Sequence, residues 1–356
     1  MRSNRIIYGP STFHIAPPLL FAMALALAAT ADAAGAHAAP RIRVNGQCFE
    51  TVRGETFFPI ADTAWLLVRM SESDIAHYVQ TRSAQGFNTI KFGPESEAVD
   101  FPKLDFILDT LAKYGMYAEL FIPSYDYHAG ALVSDNYEVG RRIAAAFRER
   151  PNIFAYTIEG LDSPHAKRDP ADMRSRVIET LRGVKSADPD RLATFHPRSG
   201  QSVVDVAAIG PEYMDFYSVH KCNPGSINDL VRSEIERVPE KPVFLSEPVY
   251  EGRASMCGCN QGCTADQVFE HILGAIETGV AGISYGHHSV WSFNLGSDGK
   301  WGLDPSPDGL PWKDALHAIG AKRITDLAED LRTRPSPCPR TVYSAETRRD
   351  ASAITE

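Results

Sequence analysis

Positive charge is scarce in this sequence, and the shortage limits the partners that the protein can bind. Its 36 lysines and arginines are outnumbered by 45 aspartates and glutamates, so the formal net charge is -9 at pH 7. No stretch gathers lysine and arginine into a basic stripe. Nucleic acids and anionic membranes both require a positive surface, so we expect neither as a partner.

Long hydrophobic runs are also scarce. The apolar run Leu19–Ala29 is shorter than the roughly 20 residues that a membrane-spanning helix needs. Arg2 and Arg5 precede it, and small residues suited to cleavage follow within positions 31–38. This order is typical of a secretory signal peptide, so we expect residues 1–38 to direct export to the periplasm or the extracellular space.

Cysteine is sparse, with six residues in the chain. Three lie in the segment MCGCNQGC and three are scattered, and together they are Cys48, Cys222, Cys257, Cys259, Cys263 and Cys338. The C-x-C-x3-C spacing is not a usual zinc spacing, although a three-thiolate site with a histidine as fourth ligand is an alternative. Because an exported protein meets an oxidising compartment, we expect disulfides that staple this glycine-rich loop, in a pairing that the spacing does not decide.

Strand-like and helical segments alternate along the chain, after a hairpin that the turn signals Asn45-Gly46 and Arg53-Gly54 indicate. The predicted strands are FFPIAD, NTIKF, MYAELFIP, NIFAYTIE, LATFHP, MDFYSVH, PVFLSE and AGISYGH. Helical patterns separate them, including a short helix SVVDVAAIG and a long final helix LPWKDALHAIGAKRITDLAEDL. The count and order predict a (β/α)8 TIM barrel. A doubly wound sheet is the alternative, but no glycine-rich phosphate loop follows the first strand.

The domain boundaries follow from this pattern. We expect the barrel domain to span residues 39–331. The segment 332–356 is rich in proline, serine and charge, and we expect it to be a disordered tail.

Polar and aromatic side chains gather around the ends of the predicted strands. In a TIM barrel these ends form the face that carries the active site. Besides the strand-end carboxylates, the candidate sugar-binding residues are Asp62, Trp65, Tyr125, His196, Tyr217, His220, Tyr250, His287, His288 and Trp291. Each alone has an ordinary structural explanation, such as core packing. Together, aromatic rings beside carboxylates and imidazoles suit a sugar, which offers C–H faces for stacking and hydroxyls for hydrogen bonds.

Two carboxylates indicate the reaction. Glu159 ends the fourth predicted strand and Glu247 ends the seventh, so a barrel places them across one cleft. Cleavage of a glycosidic bond requires one acid that protonates the leaving oxygen and one carboxylate that attacks or activates water. A gap near 5–5.5 Å between the two carboxyl groups gives retention, and a larger gap gives inversion. The sequence does not measure this gap.

Five segments of the chain resemble the apiosidase-like TIM-barrel glycoside hydrolases. They are FFPIADTAWLL, YVQTRSAQGFNTIKF, RPNIFAYTIEG, FLSEPVYEG and AGISYGHHSVWSF, and they lie between Arg41 and Leu331. The resemblance implies a retaining, exo-acting or debranching hydrolase of plant polysaccharide side chains, in which Glu247 matches the nucleophile. Many members carry an aspartate after two glycines at the end of the fourth strand, whereas this sequence reads TIEGLD. The acid/base residue is therefore Glu159 by the strand pattern, or Asp162 if the loop is shifted.

Two other interpretations belong to different functional classes. A non-catalytic carbohydrate-binding barrel would keep the aromatic rim and lose the chemistry through the altered fourth-strand motif. A metal-dependent hydrolase would use His196, His220, His287 and His288, but the H-x-H pair that such barrels usually carry after the first strand is missing. We therefore expect a carbohydrate substrate and neither a metal nor another cofactor. The sequence decides neither the sugar and its linkage nor the oligomeric state.

Overall fold

The computed structural model describes residues 39–126, 129–200, 210–222, 225–253, 259, 262–295 and 308–333. The predicted signal peptide, nearly all of the predicted tail and nearly all of the short helix SVVDVAAIG lie outside these ranges. No helix within them combines the length and the hydropathy that crossing a bilayer requires.

Strands and helices alternate as the sequence predicts. The strands are β1 (Ile42–Asn45), β2 (Cys48–Thr51), β3 (Thr56–Phe57), β4 (Ile60–Thr63), β5 (Thr89–Phe92), β6 (Tyr117–Pro123), β7 (Tyr125–Asp126), β8 (Ala131–Leu132), β9 (Ile153–Glu159), β10 (Leu192–Phe195), β11 (Tyr217–His220), β12 (Val243–Glu247) and β13 (Ile283–Tyr285). The helices are α1 (Glu72–Ala84), α2 (Phe101–Lys113), α3 (Asn136–Phe147), α4 (Pro164–Arg168), α5 (Pro170–Ala187), α6 (Asn228–Arg237), α7 (Ala265–Thr278), α8 (His288–Ser292), α9 (Trp312–Ala315) and α10 (Ile319–Thr333).

Eight parallel strands form the central sheet, in the order β10-β9-β6-β5-β4-β13-β12-β11. The strands at the two ends of this order, β10 and β11, also contact each other. The Asp215 amide donates a 2.9 Å hydrogen bond to the carbonyl of Ala193, and the Thr194 hydroxyl donates a 2.8 Å bond to the carbonyl of Phe216. The sheet is therefore a nearly closed barrel, which confirms the predicted (β/α)8 fold.

A small antiparallel sheet of β1, β2 and β3 packs at the amino-terminal end of the barrel strands. The predicted hairpin turn is present, because Gly46 adopts a positive φ of 57° between β1 and β2. Phe49 of β2 packs edge-to-face on Phe154 and Phe216, with ring centroids 5.0 and 5.2 Å apart. This aromatic cluster fills the amino-terminal end of the barrel and leaves the opposite end for chemistry.

Local sequence signals fix several helix ends. The Ser71 hydroxyl accepts a hydrogen bond from the Asp74 amide at the start of α1, as an N-cap residue does. At α7, Thr264 and Gln267 form a full capping box, and Gly279 ends the helix in the left-handed conformation, which glycine adopts without strain.

The final predicted helix is divided in the structure, which corrects the prediction of one continuous helix. α9 ends at Ala315 and α10 begins at Ile319. The break presents the Gly320 amide to Glu251, whose Oε2 accepts from it at 3.0 Å and from the Tyr285 hydroxyl at 2.5 Å. The first amides of a helix have no partner within the helix, so this buried carboxylate fastens α10 to the end of β13.

Candidate active site

A β-bulge brings Glu247 to the carboxyl-terminal mouth of the barrel. The Lys91 ammonium inside the barrel contacts the ring of Phe244 and the hydroxyl of Ser246, so strict alternation along β12 would turn Glu247 outward. The pairing register shifts here, and Glu247, rather than Ser246, pairs with His220. Such a bulge re-aims the following side chain. The sequence alone gives no signal of this shift.

Two histidines flank the Glu247 carboxylate. His196 follows β10, and its Nε2 lies 2.8 Å from Oε2 of Glu247. His220 ends β11, and its Nε2 lies 3.6 Å from the same oxygen. The two rings stack on each other with centroids 4.7 Å apart. All three side chains are buried.

The electrostatics of this cluster keep Glu247 ionised. Burial by itself raises the pKa of a carboxyl group, but the charge of His220 and the hydrogen bond from His196 outweigh burial and hold the pKa of Glu247 well below its usual range. Burial dominates at His196 and lowers its pKa to about 3, so this ring is neutral and donates its Nε2 proton. A buried, ionised carboxylate at a strand end is suited to nucleophilic attack.

The surroundings of His220 favour its positively charged form. Its Nδ1 lies 3.0 Å from the Pro197 carbonyl, which only accepts hydrogen bonds, so this nitrogen bears a proton. Burial disfavours the charged ring, but the charge of Glu247, a hydrogen bond with Cys222 and the charge of Asp162 together raise the pKa of His220 to about 9.

Asp162 lies beyond β9 on the other side of the His220 ring. Its Oδ2 lies 3.6 Å from Nδ1 of His220, and its Oδ1 lies 3.6 Å from Nε of Arg198. Burial raises the pKa of the Asp162 carboxyl, against the opposing charge of His220. The structure therefore joins Asp162 to the predicted nucleophile through one imidazole.

Glu159 is the last residue of β9 and is buried. Thr157, two residues earlier, donates a 2.7 Å hydrogen bond to Glu119 inside the barrel, and residues two apart on a strand share a face. Alternation therefore directs Glu159 toward the mouth. The His196 amide donates to the Ile158 carbonyl at 2.8 Å, so Glu159 and His196 lie side by side on adjacent strands.

Trp65 and Tyr250 form an aromatic wall beside this cluster. The Trp65 indole stacks on Phe121 with centroids 4.2 Å apart, and it meets the His196 ring edge-to-face at 5.6 Å. Its N–H donates a 2.9 Å hydrogen bond to the Tyr250 hydroxyl. Trp65 thus adjoins the histidine that contacts Glu247, and Tyr250 is hydrogen-bonded to Trp65.

A second wall comes from the loop after β12 and from α8. The Arg253 guanidinium lies 4.7 Å from the ring centre of Trp291 and 5.5 Å from that of Tyr250. His288 stacks on Trp291 at 5.7 Å. The Arg253 charge also contributes to the low pKa of Glu247. Sequence reasoning missed Arg253, although it directly follows the EPVYEG motif, which begins at the last residue of β12.

Asp62 and Tyr217 have other roles. Asp62 has no exposed surface, and its Oδ2 accepts from the Arg82 Nε at 2.6 Å and from the Tyr78 hydroxyl at 2.7 Å, so it anchors α1 to β4. Tyr217 begins β11 rather than ending it. Burial and the nearby charge of Glu234, on α6, raise its pKa to about 12, which places its hydroxyl on the helix side. We leave both residues out of the candidate sugar site.

His287 and Tyr125 also make structural contacts. The Nδ1 of His287 accepts from the Ser289 amide at 3.1 Å and caps α8, while its Nε2 lies 3.2 Å from Oδ2 of Asp308. Burial lowers the pKa of His287 to about 4. Tyr125 is buried in β7 and pairs with Leu132 of β8.

Asp162, His196 and His220 have ligand atoms within 4.8 Å of one another, a set of residue types that can hold a metal ion. The two imidazoles, however, stack with only 28° between their planes, so their nitrogen lone pairs run side by side. Both rings would have to turn to ligate one ion. His287 and His288 contact Asp308 and Trp291 instead, which does not favour the four-histidine metal site of the alternative interpretation.

The cysteine loop is stapled as expected. Cys259 and Cys263 form a disulfide with 5.1 Å between their Cα atoms, and Cys48 is also disulfide-bonded. Cys222, whose pairing the sequence leaves open, keeps its thiol and hydrogen-bonds with His220. Cys257 and Cys338 lie outside the described residues. The Cys263 amide donates to the Arg253 carbonyl at 3.1 Å, so the disulfide braces the segment that carries Arg253.

Known proteins share this architecture. The family described as apiosidase-like, catalytic domain, matches residues 43–100 and 96–336. A solved structure described as a glycoside hydrolase is 21% identical with a TM-score of 0.69, over 83% of this chain and 76% of that one. A family 5 glycoside hydrolase from Bacteroides vulgatus is 20% identical with a TM-score of 0.70, over 83% and 72%.

A more distant structure has the same barrel. An exo-beta-1,4-mannosidase from Opitutaceae bacterium strain TAV5 is 14% identical with a TM-score of 0.62, over 81% of this chain and 62% of that one. Likenesses at these identities establish the fold alone, in agreement with the predicted TIM barrel. No protein with curated annotation matches the chain.

Proposed function

Because the chain belongs to the apiosidase-like family of glycoside hydrolases, we propose that it is an exported, retaining enzyme that cleaves glycosidic bonds in side chains of plant polysaccharides. Glu247 is the nucleophile and Glu159 is the acid/base residue. The proposal of export rests on the N-terminal sequence pattern and agrees with the disulfides.

One observation carries the proposal: a bulge directs Glu247 into the barrel mouth, where His196 and His220 hold it as a carboxylate. Both histidines contact Oε2, so Oε1 attacks the anomeric carbon. Glu159 protonates the leaving oxygen as the glycosidic C–O bond breaks and a glycosyl ester forms on Glu247. Glu159 then takes a proton from water, which attacks the same carbon and releases the sugar with retained configuration.

The aromatic walls suit the sugar rings of such a substrate. Trp65 is half-buried against His196, and Trp291 is buried against Arg253. A ring held against them presents its anomeric carbon near Glu247. The candidate sugar-binding set is therefore Trp65, His196, His220, Tyr250, His288 and Trp291, with Arg253 added.

Hydrolysis of aryl glycosides and of pectic and hemicellulosic oligosaccharides tests the proposal. We expect the first-formed product to have retained anomeric configuration by NMR, and EDTA to leave the rate unchanged. We expect Glu247→Gln to lower kcat/KM on the order of 10^4-fold or more. Glu251→Gln is the matched control, because Glu251 is equally buried and four residues away but fastens α10.

The outcomes separate this proposal from its alternatives. Inverted product contradicts the retaining mechanism. Sugar binding without turnover, unchanged by Glu247→Gln, indicates a carbohydrate-binding barrel, and loss of activity with EDTA indicates a metal-dependent enzyme.

A further inference from the structure

His220 lies between two carboxylates that face opposite edges of its ring. Its Nε2 lies 3.6 Å from Oε2 of Glu247, and its Nδ1 lies 3.6 Å from Oδ2 of Asp162. Nδ1 also lies 3.0 Å from the carbonyl of Pro197. The Pro197 carbonyl only accepts hydrogen bonds, so Nδ1 carries a proton. The two carboxylates lie at ion-pair distance rather than hydrogen-bond distance, and two nearby negative charges favour the doubly protonated ring. The geometry is therefore that of an imidazolium held between two anions.

This arrangement sets Asp162 apart from an acid/base residue. An acid/base residue of a retaining enzyme faces the nucleophile across the bond that breaks. Asp162 faces Glu247 across the His220 ring, and its second oxygen lies toward Arg198. Glu159, by contrast, shares the interior face of β9 with Thr157, which directs it toward the mouth.

We propose that Asp162 is a positioning residue that acts on Glu247 through His220. Its carboxylate, together with the Pro197 carbonyl, fixes the orientation of the His220 ring and stabilises its charge. The charged ring in turn keeps Glu247 ionised and oriented for attack. The inference rests on the proposed function, since it assigns a role within that reaction, and it leaves the acid/base role to Glu159.

The pH dependence follows from the groups around His220. These groups are Glu247 on β12, Asp162 beyond β9, Cys222 beyond β11, the neutral His196 stacked on the ring, and Arg198, which faces Asp162. Without the Asp162 charge, His220 loses its second proton at lower pH. The charged ring is present only below its pKa, so the alkaline limb of kcat/KM moves to lower pH.

The experiment compares Asp162→Asn with Asp172→Asn. The two aspartates have equally exposed side chains, 38% each, and both pair with a histidine and an arginine, but Asp172 lies on α5 outside the mouth. We expect Asp162→Asn to lower kcat/KM roughly 10- to 100-fold, by the same factor for good and poor leaving groups. We also expect its alkaline limb to move by about one pH unit. Asp172→Asn leaves both unchanged, and Asp162→Glu restores most of the rate.

Two results overturn the proposal. One is a loss in Asp162→Asn that grows as the leaving group becomes poorer and that azide relieves, because Asp162 is then the acid/base residue. The other is an Asp162→Asn variant whose kcat/KM and alkaline limb are as little changed as those of Asp172→Asn. Glu247→Gln that keeps full activity contradicts the proposed function instead.

A measurement on the wild-type protein keeps the proposal testable if a variant fails to fold. Nitrogen-15 NMR of the histidine rings, with His220 assigned through His220→Gln, reports the protonation of both ring nitrogens without any substrate. We expect His220 to be doubly protonated at pH 7. A neutral His220 ring at pH 7 overturns the proposal.

Discussion

His196 donates a 2.8 Å hydrogen bond to Glu247 from a strand that is two positions away in the barrel. His196→Ala removes this donor, so the pKa of Glu247 rises. Because the carboxylate form exists above that pKa, the acid limb of kcat/KM moves to higher pH, by about one unit or more. Rate profiles with an aryl glycoside measure the shift.

The control for that experiment is His165→Ala. His165 lies 2.9 Å from Asp172 on the outer helices, a similar distance to a carboxylate outside the mouth. We expect no shift of the acid limb in this variant. An unmoved acid limb in His196→Ala would show that the bond does not control the charge of Glu247.

The buried pair of Asp62 and Arg82 stabilises the fold. Both side chains have no exposed surface, and their ion pair spans 2.6 Å. Asp62→Ala leaves the Arg82 charge buried without its carboxylate, so we expect the free energy of unfolding to fall by about 3–5 kcal/mol. Urea denaturation measures it. Glu138→Gln, at the exposed 2.7 Å pair with Arg141, is the control and changes stability little. Equal effects would contradict the role given to Asp62.

Trp65 combines a stacking face with a polar edge. Trp65→Phe keeps a ring beside Phe121 and loses the bond to Tyr250, whereas Trp65→Ala loses both. We expect KM to rise roughly 10-fold in Trp65→Ala, since stacking on an aromatic contributes on the order of 1 kcal/mol or more, and less in Trp65→Phe. Initial rates on oligosaccharides check this. Equal KM values in the three proteins would exclude Trp65 from sugar binding.

The Cys259–Cys263 disulfide positions Arg253. The bridge closes a short loop, so its loss in a double serine variant lowers the free energy of unfolding by about 2 kcal/mol. We expect KM to rise more than kcat falls. The loop carries Arg253, which lies beside Trp291, whereas Glu247 lies on β12, outside the loop. Reductant added to the double variant then breaks the Cys48 disulfide alone, so any further loss of stability is the contribution of that disulfide. An unchanged KM would show that Arg253 holds its place without the bridge.

The barrel was predictable because its signals are local. Alternating strands and helices, capping residues such as Ser71 and turn glycines such as Gly46 act over a few positions. Tyr217 shows a limit of that approach: it stands three residues before His220 on one strand, so the two face opposite sides, and grouping them by strand overlooked this.

Long-range contacts account for what the sequence could not give. Asp62 lies in β4, one residue before its end, but its partner Arg82 lies on a helix twenty residues later. The register shift that aims Glu247 depends on pairing between β11 and β12. Whether Cys222 stays a thiol or forms a disulfide likewise depends on where the fold places the other cysteines, and the spacing in the sequence does not show this.

Covalent trapping shows directly whether Glu247 attacks the anomeric carbon. A 2-deoxy-2-fluoro glycoside with an activated leaving group slows hydrolysis of the glycosyl ester, so the label accumulates. Peptide mapping by mass spectrometry then locates it. We predict one added sugar on Glu247 in the wild-type protein and none in Glu247→Gln. A label on Glu159 or Asp162, or turnover of the reagent with inverted product and no label, would contradict it.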